Sequence, residues 1–287
     1  SNMWREVHEQ PEIMKKMMEI NTPVVKELCE AVKAKGFKKV VLVGRGSSEH
    51  ALIAGKYAFE IYTPFLASMS SPSVITRYDG KVDLSDALVI GVSQCGEAKD
   101  VYTVLKKCQD EGGIAVSVTN ERECLMRQVG NYYINCECGK ETSFTAAKSY
   151  MAQTLIVLMI VAYLSGDEKL IEALNQAPDL IAACLGEEVE KQIKNAIPLF
   201  RNTKDILLLA RGFGFAVAQE TELKIMEASY TNAKAYSACD YPHGPIATTN
   251  RFMPVIFFLT DEKTDESTIG LVKKIQNDFK VSTLKSF

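Results

Sequence analysis

Residues 88–97 have the sequence Leu-Val-Ile-Gly-Val-Ser-Gln-Cys-Gly-Glu, in which a continuous apolar run ends in a small polar turn. Such a run is typical of a parallel strand buried on both faces, and the turn after it is expected to open a helix. The free N–H groups at a helix start, with the side chains of Ser93 and Gln94, suit a phosphate. Gly96 is expected to let the backbone approach that ligand closely. An ordinary Ser/Gly turn, with Glu97 facing the helix dipole, explains the segment equally well.

The surrounding sequence repeats this alternation of strands and helices. Strand-like runs lie at 39–44, 65–69, 86–92, 114–119 and 131–135, and helical patterns lie at 49–62, 97–111, 121–128 and 145–165. Such alternation predicts an α/β fold, with a mainly parallel sheet that carries helices on both faces and has right-handed crossovers.

A second series of strand-like runs predicts an internal duplication. These runs lie at 204–210, 234–238, 253–260 and 280–284. The turn at 43–46 corresponds to residues 210–212, and both follow an apolar strand and precede a helix. Residues 93–97 correspond to 260–264, which lack the phosphate-type sequence, so only the first copy is expected to bind phosphate.

The predicted organisation is two tandem three-layer αβα domains, which suits a chain of 287 residues. We assign residues 3–37 to an N-terminal helical segment that packs against its neighbours, 38–166 to the first domain, 167–200 to a helical connector and 201–287 to the second domain. Ser1 and Asn2 precede Met3 as the remnant of a cleaved tag would, and they are left out of the predicted fold.

Composition excludes several function classes. A net charge of -3 argues against a nucleic-acid partner held by bulk electrostatics. The eight cysteines include no CxxC pair, so we expect no metal site, no other cofactor and no disulfide framework. Without a visible signal peptide, reduced thiols in the cytoplasm are the simplest account. The apolar run at 155–164 is too short to cross a membrane and predicts a buried helix.

A second polar turn follows the first predicted strand. Gly46, Ser47 and Ser48 lie at this helix entry, and ligands of parallel α/β sheets bind beyond the carboxyl ends of the strands. If the two strands are neighbours, the donors of both turns converge on one anion. The competing interpretation is that Ser48 only caps a helix. The presence of two such turns favours the anion site.

Three charged residues of the second half are spaced for one helix face. Glu220, Lys224 and Glu227 are four and three residues apart. A salt-bridged surface ladder has the same pattern. The helix begins, however, after the turn at 211–212, so one of its faces should border the rim of the sheet. A Glu at that rim would be able to move a proton between adjacent carbons if burial raised its pKa.

His243 lies in a loop between two prolines, in the sequence Tyr-Pro-His-Gly-Pro at 241–245. A rigid loop of this kind fixes the direction of an imidazole. Catalysis and a purely structural role are about equally compatible with this position.

Glu141 and Lys148 flank a stretch of small residues that leads into the apolar helix. One interpretation is that Thr142 or Ser143 caps that helix and that Lys148 is a solvated surface charge. The other is that Glu141 and Lys148 face the ligand.

Together these segments resemble the sugar isomerase (SIS) domain family, and most closely the tandem-SIS isomerase half of glutamine:fructose-6-phosphate amidotransferases. The resemblance covers nearly the whole chain. Its motifs are Glu-Gln-Pro at 9–11, the turns at 46–48 and 93–97, Glu141 with Lys148, residues 220–230 and His-Gly-Pro at 243–245.

The resemblance implies a role for each motif. Glu227 shuttles a proton between C1 and C2 of a phosphosugar, Lys224 assists the open-chain sugar, and His243 promotes ring opening across the interface of a homodimer. The phosphosugar-binding residues that it implies are Gly46, Ser47, Ser48, Ser93, Gln94, Cys95, Gly96, Glu97, Ala98, Glu141 and Lys148.

Departures from the family pattern imply an altered pocket. Ala98 stands where a threonine is usual and Cys95 replaces a serine. Phe144 and Ala146 stand where the family has a smaller aliphatic residue and a serine.

The ends of the sequence also differ from the amidotransferase pattern. We expect no glutamine-dependent amination, because no glutaminase domain precedes the tandem and no catalytic cysteine follows Met3. The family's C-terminal tail, with its substrate-binding lysine, does not match Lys285 and Ser286, so either the sequence or the catalytic centre is expected to be incomplete.

The expected function is that of a phosphosugar isomerase or deaminase-type enzyme. Its substrate would be a 6-phosphorylated amino sugar or a fructosamine, with ring opening, a C1/C2 proton shift and release of ammonia or an amine. The alternatives are a phosphosugar-binding regulatory protein without catalysis and a plain aldose/ketose phosphate isomerase.

Overall fold

The structure is a computed structural model that describes residues 1–260 and 262–286, and for Lys285 and Ser286 only the backbone. Two compact units divide the chain, Ser1–Cys184 and Leu185–Phe287. Two positions of the predicted second domain lie outside the described residues. They are Asp261, in the segment that corresponds to residues 93–97, and Phe287, at the chain end.

The first unit is built on a five-stranded parallel sheet, as the alternating pattern predicts. Its strands are β1 (Lys39–Val43), β2 (Leu66–Met69), β3 (Ala87–Ser93), β4 (Ile114–Thr119) and β5 (Tyr132–Asn135). Their order in the sheet is β2-β1-β3-β4-β5. Every residue of β3 is buried, which explains why its sequence has no polar side chain before Ser93.

The helices of the first unit are α1 (Asn2–His8), α2 (Gln10–Lys35), α3 (Ser47–Tyr62), α4 (Ser73–Thr76), α5 (Lys99–Glu111), α6 (Lys148–Ser165), α7 (Glu168–Asn175) and α8 (Ala177–Ala183). Ser1 is the N-cap of α1, with its hydroxyl accepting a hydrogen bond from Trp4 N at 3.2 Å. The first helix thus begins one residue before the predicted N-terminal segment at 3–37.

The helix predicted over 121–128 is reduced to a 3₁₀ turn at Leu125–Gln128. The carbonyl oxygen of Glu121 accepts hydrogen bonds from Thr119 Oγ1 at 2.8 Å and from Tyr133 Oη at 3.1 Å. These side chains occupy the acceptor that a helix needs for the N–H four residues later. The prediction was wrong because Tyr133 reaches Glu121 from the next strand.

α6 is the core helix of the first unit. By length and composition alone it could cross a membrane, with a mean hydropathy of 1.3 over 18 residues. It packs instead against α2 and α3, and 61% of it is buried inside the protein. The buried helix predicted around 155–164 is confirmed.

The second unit contains a four-stranded parallel sheet. Its strands are β6 (Asp205–Ala210), β7 (Asn232–Ser237), β8 (Val255–Phe258) and β9 (Thr283–Ser286), in the order β7-β6-β8-β9. Its longer helices are α9 (Glu187–Ala196), α10 (Phe213–Ser229) and α11 (Glu262–Phe279). The segment predicted as a connector contains α7, α8 and α9, and the division between the units falls inside it.

The duplication is visible in the backbone of the two units. The order β7-β6-β8-β9 repeats β2-β1-β3-β4 when β6 is matched to β1. The glycines before α3 and α10 have nearly the same dihedral angles, with φ 55° and ψ -131° at Gly46 and φ 62° and ψ -136° at Gly212. Only glycine adopts these angles readily, so both copies keep the same helix entry.

Candidate functional site

The two predicted phosphate turns leave the first sheet at the same edge. β1 and β3 are adjacent and parallel, so the segments after them, at 44–46 and 94–98, both lie at the carboxyl ends of the strands. The first turn also contacts the helix that follows the second, since Asp100 Oδ2 in α5 accepts a hydrogen bond from Arg45 Nε at 2.9 Å. The prediction that the two strands are neighbours is confirmed.

Several polar groups of these turns are free to bind a ligand. Among the residues that the structure describes, none forms a hydrogen bond with the side chains of Ser47, Ser48 or Gln94. α3 begins after Gly46 without a side-chain cap, so the interpretation of Ser48 as a helix cap is wrong. The start of α3 therefore offers two hydroxyl groups and the N–H group of Ser47, groups of the kind that bind an oxyanion, whereas the N–H groups of Ser48 and Glu49 donate to Arg45 O and Gly46 O.

The second turn is closed by Ser93, whose Oγ accepts a hydrogen bond from Gly96 N at 3.2 Å. The exposed thiol of Cys95 lies 3.8 Å from the same Oγ. Gly96 has φ 69°, and a Cβ added to it would lie 2.3 Å from Cys124 Sγ. Cys124 thus fills the space where a side chain at position 96 would stand, which is a further reason for glycine at this position.

We expect Gly96→Ala to lower the free energy of unfolding by about 3 kcal/mol, since overpacking against Cys124 adds to backbone strain. Gly139→Ala is the matched control, because Gly139 has φ 61° but has nothing within 4 Å of an added Cβ. Strain alone should cost the control about 1 kcal/mol. Urea denaturation measures both values, and equal losses would contradict the role of the Cys124 contact.

The segment after β4 braces the second turn. Leu125 N donates a hydrogen bond to Glu97 Oε1 at 3.1 Å, and Met126 N donates one to Gly96 O at 3.0 Å. Ala98 is extended, and α5 begins only at Lys99. Glu97 thus binds a separate segment, and the interpretation that places it in the first turn of its own helix is wrong.

Asn120, which sequence reasoning missed, joins the second turn to the loop after β5. Its backbone N–H donates to Gln94 O at 2.9 Å, and its Nδ2 donates to Gly139 O at 2.7 Å. Its Oδ1 accepts a hydrogen bond from Cys138 N at 3.0 Å. Asn120 directly follows β4 at the carboxyl edge of the sheet, and that position is the one signal that could have identified it.

Glu141 caps α6. Its Oε1 accepts hydrogen bonds from the N–H groups of Ala147 at 2.8 Å and Lys148 at 2.7 Å, and its Oε2 accepts one from Ser149 Oγ at 2.5 Å. This carboxylate satisfies donors that have no partner inside the helix. The interpretation that Thr142 or Ser143 caps the helix is wrong, and α6 begins three residues later than predicted.

Lys148 is a buried cation, with 4% of its side chain exposed. Its Nζ donates hydrogen bonds to Glu9 Oε2 at 2.8 Å and to Lys140 O at 3.3 Å. The interpretation of Lys148 as a solvated surface charge is therefore wrong. Because Glu9 belongs to the N-terminal segment, that segment extends to the predicted site.

In the second unit, α10 carries the three predicted charges on one face. Lys224 Nζ lies 2.7 Å from Glu227 Oε2 and 3.4 Å from Glu220 Oε1. The side chains of Lys224 and Glu220 are only 16% and 7% exposed, against 28% for Glu227. A solvated surface ladder leaves its charges in water, so this arrangement favours the catalytic interpretation. Glu227 is the more accessible of the two carboxylates.

His243 ends a 3₁₀ turn, Tyr241–His243, whose first residue is anchored in the core. Tyr241 is fully buried, and its hydroxyl lies 2.6 Å from Thr249 Oγ1. The imidazole of His243 is exposed and forms no hydrogen bond with residues 1–260 or 262–286. A fixed backbone with a free ring suits an acid/base group.

The eight cysteines are all free thiols. Burial raises the pKa of Cys29, Cys108 and Cys138 to about 12, so these thiols stay protonated at neutral pH. In the described part of the chain, no group of three His, Cys, Asp or Glu side chains is placed to hold a metal ion.

Comparison with known proteins gives the same family for both halves. The SIS domain pattern matches residues 36–163 and 199–281. Glutamine–fructose-6-phosphate aminotransferase [isomerizing] of Clostridium tetani is 27% identical over 293 residues, covering 95% of this chain and 47% of that protein. The Aquifex aeolicus protein of the same name is 28% identical, covering 95% and 45%. The chain thus spans about half the length of the curated relatives that it matches.

Solved structures share the fold. The C-terminal domain of glucosamine-fructose-6-phosphate aminotransferase from Francisella tularensis has a TM-score of 0.83 and 23% identity, covering 99% of this chain and 88% of that one. Glucosamine-6-phosphate deaminase from Thermotoga maritima has a TM-score of 0.80 and 19% identity, covering 100% and 85%. At these identities the likeness establishes the architecture.

Proposed function

The chain belongs to the SIS domain family, and from this premise we propose that it is an enzyme acting on a 6-phosphorylated amino sugar or fructosamine. It opens the sugar ring, shifts a proton between C1 and C2, and releases ammonia or an amine. The proposal extends to a cytoplasmic homodimer that uses no cofactor. Observations in the first unit and in the second unit, taken separately, support the proposed enzymatic activity.

In the first unit, the proposed phosphate site is formed by the turns at 46–48 and 93–98. The free side chains of Ser47, Ser48 and Gln94 support it, together with the N-termini of α3 and α5. A phosphate dianion accepts several hydrogen bonds at once and is favoured at the positive end of a helix. Glu141 and Lys148 complete the proposed set from the loop after β5.

In the second unit, the observation that carries the enzymatic proposal is the Lys224 ammonium between Glu220 and Glu227. A binding protein needs the phosphate turns but has no use for a protected carboxylate and ammonium pair. The Lys224 ammonium, 2.7 Å from Glu227 Oε2, orients this carboxylate toward a substrate, and the same ammonium stabilises the negative oxygen of an enediolate.

The proposed proton transfers balance as follows for glucosamine 6-phosphate. His243 assists ring opening, which exposes the C1 aldehyde. Glu227 removes the proton from C2 while the C1 oxygen takes up a proton from solvent, which forms an enolamine. The same carboxyl then gives its proton to C1 and the nitrogen releases one to solvent, which leaves an alcohol at C1 and an imine at C2. Water hydrolyses the imine to give fructose 6-phosphate and ammonia.

The test is to incubate the protein with glucosamine 6-phosphate and with a panel of fructosamine 6-phosphates. For glucosamine 6-phosphate we expect ammonia in step with fructose 6-phosphate. For a fructosamine 6-phosphate, whose nitrogen is at C1, we expect the free amine in step with glucose 6-phosphate. Binding of the panel without turnover would favour the regulatory alternative, and interconversion of plain aldose and ketose phosphates alone would favour the simple isomerase.

A binding measurement tests the phosphate site in the same experiment. Replacing both Ser47 and Ser48 with Ala should weaken phosphosugar binding by about tenfold to a hundredfold, because two hydrogen bonds to a charged group are lost. Ser85→Ala is the control, since Ser85 precedes β3 and therefore lies near the amino end of that strand, opposite the proposed phosphate site. Unchanged affinity in the double variant would exclude this site.

A further inference from the structure

The N-terminal segment makes a set of polar contacts with the loop that leads into α6. Glu6 binds the loop through Thr142 and Ser143. At the far end of the loop, Gln10 Nε2 donates a hydrogen bond to Ala147 O at 3.1 Å. Further contacts are those of Arg5 with Thr142, Met3 with Thr145, and Glu9 with Lys148.

Glu6 is the centre of this contact set. The residue is only 1% exposed. Its Oε1 accepts hydrogen bonds from Thr142 N at 2.6 Å, from Thr142 Oγ1 at 2.7 Å and from Ser143 N at 3.3 Å. Burial raises the pKa of this carboxyl, but these hydrogen bonds and the charge of Lys148 outweigh burial and leave the pKa below its usual value. Glu6 is thus a buried anion that fixes backbone donors of the loop.

The loop held by Glu6 is continuous with the phosphate site of the first unit. Glu141, which directly precedes the fixed residues, caps α6. Two residues earlier, the carbonyl oxygen of Gly139 accepts a hydrogen bond from Asn120, which also binds the carbonyl oxygen of Gln94. Contacts therefore run from Glu6 through the loop at 138–143 to the turn that follows β3.

We propose that Glu6 is a positioning residue for phosphosugar binding. Glu6 holds the loop at 138–143, this loop binds Asn120, and Asn120 binds the turn at 93–98. This inference rests on the proposed function. A carboxylate from the N-terminal segment then sets the affinity of a site that it does not itself touch. The N-terminal segment, expected from sequence only to pack against its neighbours, becomes part of the binding machinery.

The position of the loop can be followed by limited digestion with chymotrypsin. Phe144 lies in the loop and is 90% exposed, so cleavage after it requires only that the anchored backbone be released. We expect Glu6→Ala to speed cleavage after Phe144 by about tenfold, because the loop loses hydrogen bonds to a charged acceptor. Tyr78, 79% exposed and outside the loop, is the internal reference, and its rate of cleavage should not change.

The affinity for glucosamine 6-phosphate is measured calorimetrically on the same proteins, well below their melting temperatures. We expect Glu6→Ala to weaken binding by about tenfold, and Glu6→Gln, which folds with an isosteric amide but lacks the charge, to fall between it and the wild type. Glu12→Ala, at an exposed position of α2, is the matched control and should change neither readout.

The outcomes separate the inference from the function. Faster cleavage after Phe144 with unchanged affinity would make Glu6 a structural residue only and overturn the inference, as would unchanged cleavage and affinity. If the wild-type protein binds no member of the phosphosugar panel, the proposed function fails and the inference falls with it. The inference is supported if Glu6→Gln binds more weakly than the wild type, Glu6→Ala binds more weakly still, and Glu12→Ala binds normally.

Discussion

Replacing Glu227 with Gln is expected to reduce turnover of the phosphosugar about a thousandfold or more while changing its binding by no more than about twofold. An amide has the shape of the carboxylate but cannot take the proton from C2, and loss of a general base typically costs between about a hundredfold and ten-thousandfold. Binding should survive because Lys224 keeps its second partner, Glu220, at 3.4 Å. Steady-state rates and calorimetric affinities for glucosamine 6-phosphate give the two numbers.

Glu266→Gln provides the control for this variant, since Glu266 is an exposed carboxylate on α11 of the same unit. It should retain wild-type turnover. Normal turnover in Glu227→Gln would remove Glu227 as the proton carrier. A parallel loss of binding and turnover would instead mean that the variant has displaced Lys224, and the ionic arrangement would then be a binding rather than a proton-transfer device.

Glu141→Ala is expected to lower the free energy of unfolding of the first unit by about 3 kcal/mol. The variant leaves the N–H groups of Ala147 and Lys148 without their acceptor, in a segment where both residues are buried. It also removes the partner of the Ser149 hydroxyl. Denaturant unfolding followed by far-UV circular dichroism measures the loss.

Glu141→Gln distinguishes a capping role from a ligand role. The amide oxygen still accepts hydrogen bonds from the start of α6, so we expect a loss of about 1 kcal/mol or less. If Glu141 also contacts the substrate as a charged group, this stable variant should bind phosphosugar more weakly than the wild type. Equal stability of the Ala and Gln variants would contradict the capping role.

The sequence was sufficient for the architecture because the signals of that architecture are local. β3 has no polar side chain before Ser93 because every position of the strand is buried, and such a run is typical of a buried parallel strand. The spacing of Glu220, Lys224 and Glu227 fixed their common face once the helix was assigned. The correspondence of Gly46 with Gly212 was readable because two short turns follow two similar strands.

The finer details were not predictable because they depend on partners that are distant in the chain. Nothing near Gly96 indicates that Cys124 fills the space beside it. Glu141 caps a helix that begins seven residues later, whereas sequence rules look for the cap at the residue before the helix. Tyr133 suppressed a predicted helix by binding Glu121 from another strand. In each of these three cases a long-range contact replaced a local preference.

The contact between Glu6 and Thr142 has a consequence for the order of folding. It joins residues 136 positions apart, so it closes one of the longest loops in the first unit and forms late on kinetic grounds. During synthesis at about 5–20 residues per second, Glu6 waits roughly 7–27 s for its partner to be made. All five strands of the first sheet precede Thr142 in the chain. We therefore expect the contact between Glu6 and Thr142 to form only after all five strands of the first sheet have been synthesised.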